Sequence, residues 1–175
     1  PASVERLPLS SLVIRRMAEL KRLLRQGDGK AARELLTLMP HFFKNAPDAF
    51  LLGYRAADLL ALLSCAYRVV LLSRGKKVVV SVFNPEEKRH GFFSDRTCVQ
   101  ISAPDGPFYV TSVREQLRAM NHTVVNLIHP IIPVSWDSGG RLRKLGESNL
   151  PGRQSLIHIE IDRVDDRAEL GRIDR

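Results

Sequence analysis

The period of the apolar positions changes along the chain. From Ser10 to Gln26, Val13, Met17, Leu20 and Leu24 form a stripe at helical spacing. Arg15, Arg16, Arg22 and Arg25 lie mostly off it, and Ser10 and Ser11 are placed as caps. Gly27-Asp28-Gly29 breaks this pattern, and Asp28 can cap a second helix. Ala31, Ala32, Leu35, Leu36 and Met39 then continue as that short helix, stopped at Pro40 and paired antiparallel with the first. The longest helical pattern runs from Pro47 to Arg74. Its leucines, from Leu51 and Leu52 through Leu59, Leu60, Leu62 and Leu63, wrap more than one face, which predicts a sandwiched helix ended by Gly75.

Beyond Lys77 the period shortens. Val78 to Phe83 is β-branched and apolar on both sides, so it reads as a strand covered on both faces and stopped at Asn84-Pro85. The charged stretch from Glu86 to Asp95 reads as a loop or hairpin connection. Thr97 to Trp136 gives a strand, a tight turn, a helix opened by Pro107 with Val110, Val113, Leu117 and Met120 on one side, and a second strand from Thr123, hence one βαβ unit. Pro130 and Pro133 interrupt that second strand, which implies an edge, a bulge or a bend at Pro130. Trp136-Asp137-Ser138-Gly139-Gly140 turns the chain into Arg141 to Leu145 as a hairpin. Ser155 to Asp162 alternates, with Ile157, Ile159 and Ile161 on one side and Leu156, His158, Glu160 and Asp162 on the other, the pattern of a strand with one buried face. Asp165 to Arg175 begins a helix. The fold class is therefore α+β: a helical segment over residues 1–76, then over 77–175 an antiparallel sheet with helices on one face.

With 175 residues of which 44% are apolar, the chain can bury a core of one domain and an appendage. Its apolar run Leu59 to Tyr67 falls well short of the roughly 20 apolar residues that cross a bilayer, and no membrane partner is expected. Cys65 and Cys98 have no paired spacing and read as buried thiols of a cytoplasmic protein. The net charge of +8 is carried by three separate groups, Arg15 to Arg25, Arg74 to Lys77 and Arg141 to Lys144. With only 6% aromatic residues there is little to stack on bases, and no nucleic-acid partner is expected.

Candidate chemistry is sparse. Phosphate-loop, dinucleotide and nucleophile-elbow patterns are missing from the sequence, and Thr111 and Ser112 have no neighbouring base. His129 and His158 lie on strands and can meet in a sheet with Glu160 or Cys98 nearby. None of these pairs has the spacing that marks a metal site, so no metal is expected. The turn Asp105-Gly106-Pro107-Phe108 has two readings. Backbone N–H groups at the helix start can take a carboxylate, or Asp105 simply caps the helix with Pro107 in its first turn.

Asp105-x-Pro107, the helix carrying Val113 and Leu117, and Asn121-x-Thr123-Val124 resemble the opening β-α-β of an ACT domain, a small amino-acid-sensing module of ferredoxin-like βαββαβ topology. Generic ACT domains tend to have glycine at the position of Phe108. Val99-Gln-Ile101, Asp105 to Val113, Ile128-His-Pro-Ile131 and Ser155 to Arg163 together resemble the N-terminal region of the large NAD-specific glutamate dehydrogenases of bacteria, in which the position of Thr111 is usually acidic. The likeness spans roughly residues 78–165 in ordered blocks, and the helical residues 1–75 more loosely. It implies an ACT-like sheet cut before its final elements. The parent would be a cytoplasmic enzyme that oxidatively deaminates L-glutamate to 2-oxoglutarate and ammonia with NAD, its catalytic residues and nucleotide site lying downstream. It further implies no catalytic, cofactor-binding or metal residue here, and a regulatory or oligomerisation role. The partners it implies are the remainder of the same long chain, a second copy and an amino-acid effector. Asp105, Gly106, Pro107, Phe108 and Thr111 form the effector or interface turn. A stand-alone amino-acid-binding regulatory protein of ACT type is the alternative.

Overall fold

The computed structural model describes residues 9–174; the first eight residues of the helical segment and Arg175 lie outside them. Four helices come first: α1 (Leu9–Gln26), α2 (Gly29–Phe43), α3 (Asp48–Gly53) and α4 (Ala56–Ser73). Ser10 and Ser11 fall inside α1 rather than capping it. Pro40 does not stop α2, which runs on to Phe43. A proline inside a helix costs about 3 kcal/mol. The extra turn buries Phe42 and Phe43 almost completely, and two such side chains return about 1.5–3 kcal/mol each.

The long pattern from Pro47 is two helices, because the chain is extended at Tyr54 and Arg55. Asp58 secures the restart: its carboxylate accepts from the Arg55 backbone N–H at 3.1 Å and from the guanidinium at 2.8 and 2.7 Å. By length and composition α4 also meets the requirements of a membrane span, with mean hydropathy 1.7 over 18 residues. Here its apolar sides are covered by α1, α2 and the sheet, with Leu59, Leu62, Leu63 and Ala66 fully buried. It ends with Arg74 and Gly75 both at positive φ. A Cβ on Gly75 would lie 2.5 Å from the Trp136 ring, so only glycine fits there.

The sheet follows: β1 (Val79–Phe83), a short helical turn α5 (Glu87–His90), β2 (Arg96–Pro104), α6 (Tyr109–Ala119), β3 (Val124–Ile128), β4 (Ile131–Trp136), β5 (Leu142–Leu145), β6 (Gly152–Asp162) and finally α7 (Arg167–Ile173). The stretch after Glu86 is thus partly helical, and His90 stacks on Phe83 at 4.5 Å. The six strands run in the order β1-β2-β6-β4-β5, with β3 also on β6, and every pairing is antiparallel. The bend expected at Pro130 splits one strand into β3 and β4, both on the same edge of β6, where Ile128 faces His158 and Ile131 faces Ser155.

Because β2 and β3 are both antiparallel to β6, which lies between them, β2-α6-β3 is a split βαβ crossover. This is the ferredoxin-like order. Among the described residues no strand follows α7, yet the place beside β2 that a final strand would take is filled by β1, contributed from the other end of the chain.

Two layers of helix cover the sheet. The ACT-like part places its own helices, α6 and α7, on one face, over Val99, Ile101, Ile157, Ile159 and Ile161. The N-terminal helices cover the opposite face, against Cys98, Leu156, Ile128, Ile132 and Val134. β6 is therefore buried on both faces from Gln154 to Ile161, not on one as its alternation predicts. β1, on the edge, is half-buried on both.

Candidate functional site

The register of β2 on β6 sets Cys98 opposite Glu160 and Gln100 opposite His158. All four side chains point under the N-terminal helices and are 0–2% exposed. Glu160 is held from two elements. Tyr54, at the break between α3 and α4, donates its hydroxyl to Oε1 at 2.5 Å, and Asn126 of β3 donates to Oε2 at 2.6 Å. The Tyr54 oxygen also lies 3.1 Å from Ser94 Oγ. The His158 ring packs among Phe42 and Phe50, its Nδ1 is 3.3 Å from Gln100 Nε2, and its Nε2 is 3.7 Å from Glu160 Oε1.

Burial alone would raise the Glu160 pKa. The nearby His158 and the hydrogen bonds from Tyr54 and Asn126 outweigh it and hold the carboxyl below its ordinary value, so it stays ionised. Burial, reinforced by the Glu160 charge, pushes the Tyr54 hydroxyl far up. The same two causes push the Cys98 thiol well above its ordinary value, so Cys98 is not a nucleophile at neutral pH. Two buried polar atoms in this cluster have no hydrogen-bond partner, Gln100 Oε1 and His158 Nε2. Sulfur, imidazole and carboxylate donors from Cys98, His158 and Glu160 lie within 4.8 Å of one another, which is the reach of one bound cation.

Glu160, Tyr54 and Asn126 also line a cleft of about 490 Å³ with Phe50, Ser94, Arg96 and Val125. Its rim is apolar and exposed at Phe93, over which the Arg163 guanidinium sits at 6.0 Å.

His129 does not join this cluster. It lies at the β3–β4 junction with Nε2 2.6 Å from Ser155 Oγ, and burial lowers its pKa. Cys65 stands apart on α4. Tyr54 and Asn126 are the members that sequence reasoning missed. A polar residue inside Val124-Val-Asn-Leu-Ile128 was the available signal, since an amide in a buried strand needs a partner.

The turn from Asp105 to Thr111 is elsewhere, at the end of β2. Asp105 does not cap α6: the N-cap position is Phe108, no side chain caps it, and the Asp105 backbone N–H is used on Arg153 O at 3.0 Å. Pro107 precedes the helix rather than opening it. Phe108 is held at φ +67° and is 76% exposed. That conformation suits glycine, which is the residue generic ACT domains carry there. Thr111 is exposed on the first turn of α6.

Two of the three basic groups in the sequence also meet. Arg74 and Arg141, with Lys30, line a cleft of about 810 Å³ that also holds Glu34 and Asp137.

The family model described as "Glutamate dehydrogenase, ACT1 domain" matches residues 38–175. An NAD-specific glutamate dehydrogenase of Pseudomonas aeruginosa is 28% identical over 153 residues, covering 85% of this chain and 9% of that protein. One from Halomonas elongata is 30% identical over 158 residues, covering 88% of this chain and 10% of its own length. The chain thus spans about a tenth of the length of the curated relatives it matches. No solved structure matches.

Proposed function

The chain belongs to the ACT1-domain family of glutamate dehydrogenases, and from that premise we propose that it is a non-catalytic regulatory and assembly module of a cytoplasmic, NAD-dependent glutamate dehydrogenase. The parent enzyme oxidatively deaminates L-glutamate to 2-oxoglutarate and ammonia. This segment contacts other parts of the same long chain and a second copy, and it takes an amino-acid effector at the turn from Asp105 to Thr111.

One observation supports this reading above the others. Phe108 is a large aromatic held out to solvent, in a backbone conformation that costs a non-glycine residue about 1 kcal/mol or more. An exposed aromatic kept in a strained position is the anchor expected of a contact surface. Ile131, 47% exposed at the start of β4, adds to the apolar surface of this domain.

Calorimetric titration of the amino acids into the full-length enzyme, native and Phe108→Ser, tests the reading. Binding heat for an amino acid other than the substrate L-glutamate that Phe108→Ser abolishes, or a fall in subunit number on substitution, is the expected result. An enzyme that binds no amino acid besides L-glutamate and keeps its subunit number in Phe108→Ser would overturn it.

A further inference from the structure

We propose that Cys98, His158 and Glu160 together bind one divalent transition-metal ion of the zinc class, which staples β2 to β6 beneath the N-terminal helices. The three donors are a thiolate, an imidazole and a carboxylate, the set that zinc and its analogue cobalt prefer. The separation of His158 Nε2 from Glu160 Oε1 is 3.7 Å, beyond hydrogen-bond range. Two donors on one tetrahedral ion stand about 3.3 Å apart for bonds of about 2.0 Å, so His158 and Glu160 need close by only a few tenths of an ångström, with Cys98 Sγ within 4.8 Å of both.

A second observation is independent of that cluster geometry. His158 is fully buried and its Nε2 has no partner, a position that is unfavourable unless something fills it. Ligation through Nε2 moves the ring proton to Nδ1. Turning the Gln100 amide then presents its other orphaned atom, Oε1, as the acceptor for that proton, at the expense of a long 3.4 Å bond to Leu62 O. Both ring nitrogens of His158 are then partnered, while Gln100 Nε2 takes the unpartnered place that Oε1 leaves.

The supporting partners that a metal site needs are already in place. Tyr54 and Asn126 each donate to one oxygen of the Glu160 carboxylate, and each oxygen keeps a lone pair for the ion. Binding releases the Cys98 thiol proton to solvent. The divalent charge is then balanced by one thiolate and one carboxylate, so no net charge is buried. The cleft over Glu160 supplies the entry path, and a water from it completes four-coordination.

The test uses the full-length protein, native and as Cys98→Ser, Glu160→Gln and Cys65→Ser. Elemental analysis is expected to find one metal ion per subunit more in the native protein than in Cys98→Ser. Refolding with Co²⁺ is expected to give a sulfur-to-cobalt charge-transfer band that Cys98→Ser abolishes and Cys65→Ser keeps. Glu160→Gln is expected to weaken metal binding by more than about tenfold. Equal metal content in the native protein and Cys98→Ser, or a band that survives Cys98→Ser, would overturn the proposal. If Cys98→Ser does not fold, the native protein decides alone: no cobalt–thiolate band on refolding, and a melting temperature unmoved by chelator, would equally overturn it.

Discussion

The two faces of the one sheet are buried by different means. Toward α6 and α7 the middle of the two central strands offers branched aliphatic side chains, Val99, Ile101, Ile157, Ile159 and Ile161, and the packing there is hydrophobic burial, with the buried hydroxyls of Thr97 and Ser155 only at the strand ends. Toward the N-terminal helices the same two central strands offer Cys98, Gln100, Ser102, Gln154, His158 and Glu160, and every one of them is also buried. On that face the helices, with Leu156 and the residues of β3 and β4, bring the apolar surface, and the two central strands bring the polar network. Gln154, for example, donates to Ser73 of α4 at 3.0 Å and to Ser102 of β2 at 2.9 Å. Alternation along a strand therefore shows that its two faces differ, and leaves open whether the polar one meets water.

Substitutions can break this contrast, and the largest effect is expected where helices and sheet share a core. Phe42→Ala removes a fully buried ring beside His158 and should cost about 3–5 kcal/mol in urea unfolding. Neighbouring residues on opposite faces give the sharper test. Glu160→Gln keeps the shape but sets an amide donor against Asn126 or Tyr54, and should cost about 1–3 kcal/mol at neutral pH. Ile159→Val deletes one buried methylene and should cost about 0.5–1.5 kcal/mol.

The pH dependence of those two substitutions should also differ. The folded-state pKa of Glu160 is depressed, so its ionised form contributes stability that is fully present above the unfolded value of about 4.3. That contribution is lost as pH falls through the lower folded value. The gap between native protein and Glu160→Gln should therefore close in acid, while the Ile159→Val gap stays constant, as equilibrium unfolding at several pH values would show. Asp58→Ala, which removes the bonds that restart α4, should cost about 1 kcal/mol. The smallest effect is expected at Phe108→Gly, neutral or stabilising by up to about 1 kcal/mol, because glycine accepts φ +67° without strain.

Much of this fold is legible along the chain. The crossover from β2 through α6 to β3, the break at Pro130, the hairpin at Asp137 to Gly140 and the strand from Ser155 all follow from local period and turn chemistry. What escapes the sequence is set by tertiary contact. Pro40 stays helical because Phe42 and Phe43 have a core to enter, and no local rule carries that information. The place of β1 beside β2 joins residues separated by α5 and its loops, while the polar cluster needs α3, β2, β3 and β6 at once. His158, Glu160 and Cys98 can be suspected from their strands. Tyr54 becomes a member only because the chain breaks at Arg55, where the apolar pattern looks continuous.

The assignment of this domain to assembly and regulation rather than to chemistry is tested most directly by glutamate-dependent NAD reduction in the full-length Phe108→Gly enzyme, followed across protein concentrations that span assembly. The expected result is an unchanged turnover per assembled subunit, with the concentration needed for assembly raised about tenfold or more, as for loss of an interface anchor worth about 1.4 kcal/mol. A fall in turnover with assembly unaltered would contradict it.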